Sequence, residues 1–365
     1  MRIAVCVVGW IAVLLAGPPR VNAQAVAGPP GAAWDALRAG NHEGAERAFQ
    51  AELRARPTDA VLHLGLGIAL QGQQRSEEAR APLTRALQLE PRLTAAAALL
   101  GQILYASGDL DAAIALYERA TTNVPGVAPM RQRLDQWRAE ARLHAGYEQG
   151  GDGRFSVLFE GPEERNLAAR VHRVLEAAYW RIGARLNTYP GETIPVILYT
   201  QQQFQDVTGS PTWAVGAYDG RIRLAVRGGL EEPATLDRVV VHEFVHALIQ
   251  RVAPRGVPAW LHEGLAVNLS EEEPRWADTI LSASPRSIPL SALERGFSEL
   301  DSAAADLAYA ESTVAAGVVI RRLGPNLPAF LQSLGSIGTV DAGLASFGFT
   351  TADLDASIRA RMRSR

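Results

Sequence analysis

Lysine is absent from the 365 residues: every basic side chain other than histidine is arginine, and the formal net charge is −3 at pH 7. The absence reads as a compositional bias of the coding genome, not as a functional device. The near balance of charge leaves no excess of basic residues of the kind a nucleic-acid or anionic-membrane partner requires. Cysteine is almost absent as well. The only one, Cys6, lies inside an N-terminal apolar run, too early in it to serve as a lipidated cysteine. Once that run is removed, disulfides, thiol catalysis and a cysteine-ligated zinc ribbon are all excluded. Long apolar runs are also wanting. Ile3 to Ala16 is fourteen residues, short for a bilayer span, and Gly17-Pro18-Pro19 breaks it at once.

With Arg2 before it and the small-residue site Val21-Asn22-Ala23 after it, that run reads as a secretory signal, residues 1–23, cleaved before Gln24. The alternative is a retained anchor. Cleavage implies export to a bacterial periplasm or beyond, with no stable membrane span left in the chain. Apolar residues make up 47% and charged residues 21%, which indicates globular material long enough for two domains.

After a flexible lead-in, residues 24–33, the chain repeats itself. Pro57, Pro91 and Pro125 are spaced by 34 residues, as are Ala45, Ala79 and Ala113, and then Phe49, Leu83 and Tyr117; Leu66-Gly67 returns as Leu100-Gly101. Small residues let two helices approach, the large apolar residue four positions later packs into the neighbour, and the proline closes the second helix. This pattern resembles the tetratricopeptide repeat, three units of which form a solenoid over residues 34–145, closed by a capping helix from Met130 to His144 with Leu134, Trp137 and Ala141 on its apolar face. The resemblance implies a surface for a protein or peptide partner, with scaffolding of the following domain as the other use. His42 and His63 have no metal-ligand partners near them in sequence and read as surface or packing residues. Gly146 to Gly153 is read as a linker, residues 146–153.

The chemistry lies further on. In Val239-Val240-Val241-His242-Glu243-Phe244-Val245-His246, the two histidines are four apart and therefore share one helix face, where both can ligate one metal ion. Glu243 adjoins the first ligand, the placement of a general base that does not itself ligate. A second helix turning back through Pro254 to Pro258 would bring Glu263, in Trp260-Leu261-His262-Glu263-Gly264-Leu265-Ala266, to the third corner, giving a two-histidine, one-glutamate set with an open fourth position. Such donors suit one zinc ion best; ligand type alone also permits manganese, cobalt or iron. Three of the seven histidines fall between positions 242 and 262. His262 points about 100° away from Glu263 on a helix. It is read as a surface residue or a support for the ligands, with substrate contact the alternative.

The pair of motifs, with sixteen residues between His246 and Glu263, resembles the gluzincin metallopeptidases, and most closely the bacterial peptidase MA-like domains that accompany helical repeats. The resemblance implies an α+β chain: an all-α repeat solenoid followed by a mixed α/β domain over residues 154–365. It also implies hydrolysis of peptide bonds, with Glu243 as general base. The spacing to Glu263 is shorter than in the aminopeptidase branch, and its Gly-x-Met-x-Asn signature is absent, which leaves an endopeptidase as the expectation. In such enzymes an edge strand beside the metal pairs with extended substrate; Gly216 to Val226 takes that position, with a plain hairpin turning at Asp219-Gly220 as the other reading. Tyr309, on a helix expected from about Leu307, stands where relatives place a hydroxyl over the oxyanion, or is a packing residue. The alternative function is an envelope interaction protein whose peptidase-like domain is weakly active or inactive.

The remaining expectations are local. Strands are expected over Phe155–Phe159 and Ile194–Tyr199, helices over Pro162–Leu186 and Gln202–Val207, and the metal helix from Leu236 to about Arg251. Two or three small helices should follow Leu327, the last of them capped by Thr350 or Thr351. Asn268 or a distant carboxylate is the expected hydrogen-bond partner for the histidines.

Overall fold

The computed structural model describes residues 31–73, 75–122, 124, 126–151, 153–254, 256–270, 275–297, 300–337 and 339–363. The signal segment, most of the lead-in, Pro125 and the last two residues lie outside that set. The chain divides into two compact units, one ending at Gly146 and one running from Tyr147.

The first unit is helical throughout: α1 (Ala32–Arg38), α2 (His42–Ala55), α3 (Ala60–Gly72), α4 (Ser76–Leu89), α5 (Thr94–Ala106), α6 (Leu110–Thr121) and α7 (Ala128–His144). Asn41, Asp59 and Asp109 cap α2, α3 and α6 by accepting backbone N–H bonds that each first turn leaves open. Packing follows the repeat. Ala45, Ala79 and Ala113 are fully buried, and Gly67 and Gly101, one repeat apart, lie directly under the side chains of Leu83 and Tyr117. The capping helix closes the stack through Trp137, 2% exposed, which lies parallel to Tyr105 at 4.9 Å while Tyr105 donates to Glu140 at 2.6 Å.

The second unit opens with a correction. Residues 147–150, read from sequence as linker, form β1 (Tyr147–Gly150), which pairs antiparallel with β2 (Phe155–Glu160). Their composition hides this, because Tyr-Glu-Gln-Gly has no alternation and takes its strand character from the partner. Next come α8 (Arg165–Leu186), β3 (Ile194–Thr200), α9 (Gln201–Thr208), β4 (Gly216–Tyr218) and β5 (Ile222–Arg227). The sheet order is β1-β2-β3-β5-β4, with β2, β3 and β5 parallel and β4 antiparallel to β5. Only β4, of the Gly216–Val226 stretch, is therefore an outer strand; β5 lies inside the sheet and is buried from Ile222 to Val226.

Helices α10 (Pro233–Val252), α11 (Ala259–Ser270), α12 (Trp276–Ala283) and α13 (Ser302–Leu323) follow, then α14 (Leu327–Ile337), α15 (Val340–Ala345) and α16 (Thr351–Arg363). Helix α10 starts three residues before the expected Leu236, because Glu232 caps it and Pro233 takes the first helical position, where the lost N–H costs nothing. Helix α13 likewise starts at Ser302, capped by Asp301, and not near Leu307. Helix α12 falls within the acidic, proline-punctuated stretch of sequence from Glu271 to Pro289. On the sheet side, Phe244 of α10 meets Phe155 edge-on at 5.5 Å, and Arg170 of α8 holds Asp237 of α10 through two bonds of 2.8 and 2.7 Å. On the other side lie α11 and α13. The run Ser302–Gly335 has the length and hydropathy of a membrane span, yet 67% of its most apolar window is buried within the fold.

Gly264 sets the closeness of α11 and α13. A methyl group there would collide with the backbone carbonyl of Ser312 and lie 2.7 Å from Ala316 Cβ. Asn268, one turn on, fixes the crossing by donating to Gly264 O at 2.7 Å and Thr313 O at 2.8 Å. Gly264→Ala should therefore destabilise the protein by about 1–3 kcal/mol, as overpacking does, in spite of alanine's better helix propensity. The check is thermal unfolding, with a fall of roughly 2–4 °C per kcal/mol in a unit of this size.

Candidate metal centre

Helix α10 is buried on every face from Val239 to Ile249, and its polar residues in that stretch are buried with it. His242 is 2% exposed, and Glu243 and His246 are fully buried. The chain leaves α10 at Ala253, and His262 N–H bonded to Pro258 O starts α11, which returns against α10 and delivers Glu263, 3% exposed, to the same point. Glu263 Oε2 lies 3.5 Å from His242 Nε2 and 3.7 Å from His246 Nε2, and all three donor atoms fall within 4.8 Å of one another. Bonds of about 2.0–2.1 Å meeting tetrahedrally at one ion place donor atoms roughly 3.4 Å apart. The triangle has the right size for a small cation.

Its electrostatics point the same way. His242 Nε2, His246 Nε2, Glu263 Oε2 and both oxygens of Glu243 are buried without a hydrogen-bond partner, an arrangement that costs on the order of 1–3 kcal/mol per group if nothing satisfies it. Burial, helped by the neighbouring His262, lowers the His242 pKa to about 3 and drives that of His246 well below its usual value. The imidazoles are thus neutral, each with one lone-pair nitrogen, and their contacts with Glu263 are not ion pairs. Burial also raises both Glu263 and Glu243 well above the usual carboxylate range. A bound cation would favour the ionised form of both carboxylates.

Two further elements complete the pocket. Strand β4 passes over Glu243 so closely that a methyl group on Gly216 would lie 2.5 Å from Glu243 Oε1 and 2.9 Å from Val239. From α13, Tyr309, 3% exposed, donates its hydroxyl to Glu263. Glu263 Oε2 itself has no hydrogen-bond partner and is left to the triangle. Burial, and then the charges of Glu263 and Glu243, push the Tyr309 pKa well up, so the phenol keeps its proton and remains a donor. Phe297 holds the ring edge-on at 5.0 Å.

All five residues named from sequence, His242, Glu243, His246, Glu263 and Tyr309, therefore converge. One expectation is narrowed and one fails. Of the two readings of His262, the surface one falls and the support of a ligand stands: it is 3% exposed and meets His246. Asn268 ties α11 to α13 and makes no contact with the histidines among its hydrogen bonds. Gly216 was not singled out for this role by sequence. Only its position opening the strand pointed to it; its proximity to Glu243 arises from sheet topology.

A sequence model of the Peptidase MA superfamily matches residues 182–364, half of the chain, and takes in all five residues. The chain belongs to the Peptidase MA superfamily. Within this member the match begins inside α8, so β1 and β2 lie outside it. A tetratricopeptide-repeat model matches residues 31–91 and again 64–128, the helical unit that precedes the Peptidase MA domain. No curated protein matches the chain.

Because the donor set is preformed, zinc at a thousand times its dissociation constant should stabilise the metal-free protein by about 4 kcal/mol and raise its Tm by roughly 8–16 °C, as calorimetry would record. Without metal, unfolding frees histidines that take up protons below about pH 6.5 and carboxylates that lose them above about pH 4.5. Between those values the three histidines outweigh the two carboxylates. Chelated protein should then lose stability as pH falls below about 6.5, and also as it rises above, where only the carboxylates still titrate. Zinc-loaded protein should lack the loss on the alkaline side.

Proposed function

We propose that this chain is an exported zinc-dependent peptidase, acting within proteins or peptides, whose repeats bind the substrate or a partner protein. The observation that carries the reading is the convergence of three partnerless donor atoms with a partnerless carboxylate in a buried pocket. His242, His246 and Glu263 would hold the ion; when bound, it supplies Lewis-acid chemistry, acidifying water and polarising a carbonyl.

Glu243 does the proton work. As a carboxylate with no hydrogen bond to the protein, it is free to take a proton from the attacking water and return it to the leaving amine. Tyr309, held protonated, supplies a hydrogen bond to the oxyanion as the carbonyl becomes tetrahedral. Its present bond to Glu263 keeps the hydroxyl at the ligand set. Strand β4 is the outer strand on the Glu243 side, so an extended substrate backbone adding to it would run past the base, with affinity drawn from main-chain bonds. Side-chain preference from that pairing alone would be weak.

Casein cleavage and zinc content, measured on the same samples, test this. Glu243→Gln should keep its zinc and lose activity by about 10²–10⁴-fold, and Tyr309→Phe should keep its zinc and lose kcat by about 10²–10³-fold. Gly216→Ala, which pushes a methyl group at Glu243, should lower kcat without releasing zinc. Zinc-loaded wild type with no cleavage of any protein substrate would favour the repeat unit as the main function.

A further inference from the structure

His246 and His262 meet through their Nδ1 atoms at 2.6 Å, and both rings are buried. The ring planes lie within 17° of parallel and the ring centres are 4.7 Å apart. Two rings stacked face to face could not bring ring nitrogens that close. The 4.7 Å separation is close to the 2.6 Å contact plus the two ring radii, so the rings lie side by side and each nitrogen points along its lone-pair or N–H direction at the other. That is an in-plane N–H···N hydrogen bond, with one donor and one acceptor.

The direction of this bond decides whether His246 can ligate. If His262 were the donor, His246 Nδ1 would be the acceptor and its single proton would sit on Nε2, the atom aimed at the triangle. If His246 donates, Nε2 carries the free lone pair. Resting on the metal-site reading above, we infer that His262 is the positioning residue for His246: its Nδ1 accepts the His246 Nδ1 proton and so fixes the ring orientation and tautomer that present Nε2 to the ion. Metal-binding histidines commonly hold their second nitrogen against a carboxylate or a backbone carbonyl. Here the acceptor is the ring nitrogen of a second imidazole. It adds no third negative charge to a pocket that already contains Glu243 and Glu263. The arrangement follows from α11: a residue adjoining Glu263 in sequence is aimed elsewhere, and His246, one turn beyond His242 on α10, lies in its path.

Zinc affinity of the purified full chain, measured by competition with a chromophoric chelator, tests the role without relying on catalysis. The asparagine carbonyl stands where the histidine Nδ1 stands, attached to Cγ, whereas a glutamine carbonyl is one bond further out. His262→Leu should weaken zinc binding by about 10–100-fold, His262→Asn should recover most of that loss, and His262→Gln should not. In zinc-loaded wild type, nitrogen NMR should show a scalar coupling across the bond between the two Nδ1 atoms, with the proton on His246.

Should the leucine variant fail to fold, the asparagine and glutamine variants still decide, since equal affinities for the two overturn the role of His262. So does leucine binding zinc as tightly as wild type, or a wild-type spectrum with the proton on His262. Wild type that takes up no zinc overturns the metal site itself and this inference with it.

Discussion

Five polar atoms with no protein partner, buried where α10, α11, α13 and β4 meet, are the constraint on which the second unit depends. Left alone they oppose folding, since each desolvated donor or acceptor costs free energy that no protein group returns. A cation held by His242, His246 and Glu263 would satisfy three of them and leave the two oxygens of Glu243 to water. The surrounding features follow from that need. Gly264 lets α13 approach α11 closely enough for Tyr309 to reach Glu263, Asn268 fixes the crossing, and Gly216 lets a strand edge pass over the base.

The same burial decides the protonation states. Neutral imidazoles, a protonated phenol and carboxylates reluctant to ionise are all consequences of a low-dielectric pocket. Each is the form that the proposed chemistry requires, or the form that a cation would convert into it. The repeat unit is a separate body with its own core, built from the 34-residue period and closed by Trp137.

Much of the site was legible in sequence because its information is local. Helical geometry alone aligns His242 with His246 and sets Glu243 beside them. Glu263 needed one further assumption, that the chain turns back after Val252. Tyr309 was harder, and only the family resemblance drew attention to it. The misreadings share a physical origin. His262 was correctly aimed away from Glu263, but sequence left open whether it lay at the surface or supported a ligand, because the residue it meets is supplied by α10, sixteen residues away in sequence. For β1, strand character comes from its partner and not from its own residues. Helices α10 and α13 begin earlier than their apolar pattern suggests, because Glu232 and Asp301, which carry no hydrophobic signal, set the starts through capping. Asn268 looked available to the histidines until the depth of α13 against α11 was known.

The most direct measurement is an anomalous-scattering map recorded at the zinc edge from a crystal of the full chain grown with zinc. One peak should lie within bonding distance of His242 Nε2, His246 Nε2 and Glu263 Oε2, with Glu243 beside it and not bonded to it. A peak ligated by Glu243, a peak elsewhere in the chain, or no peak in a zinc-saturated crystal would contradict the assignment.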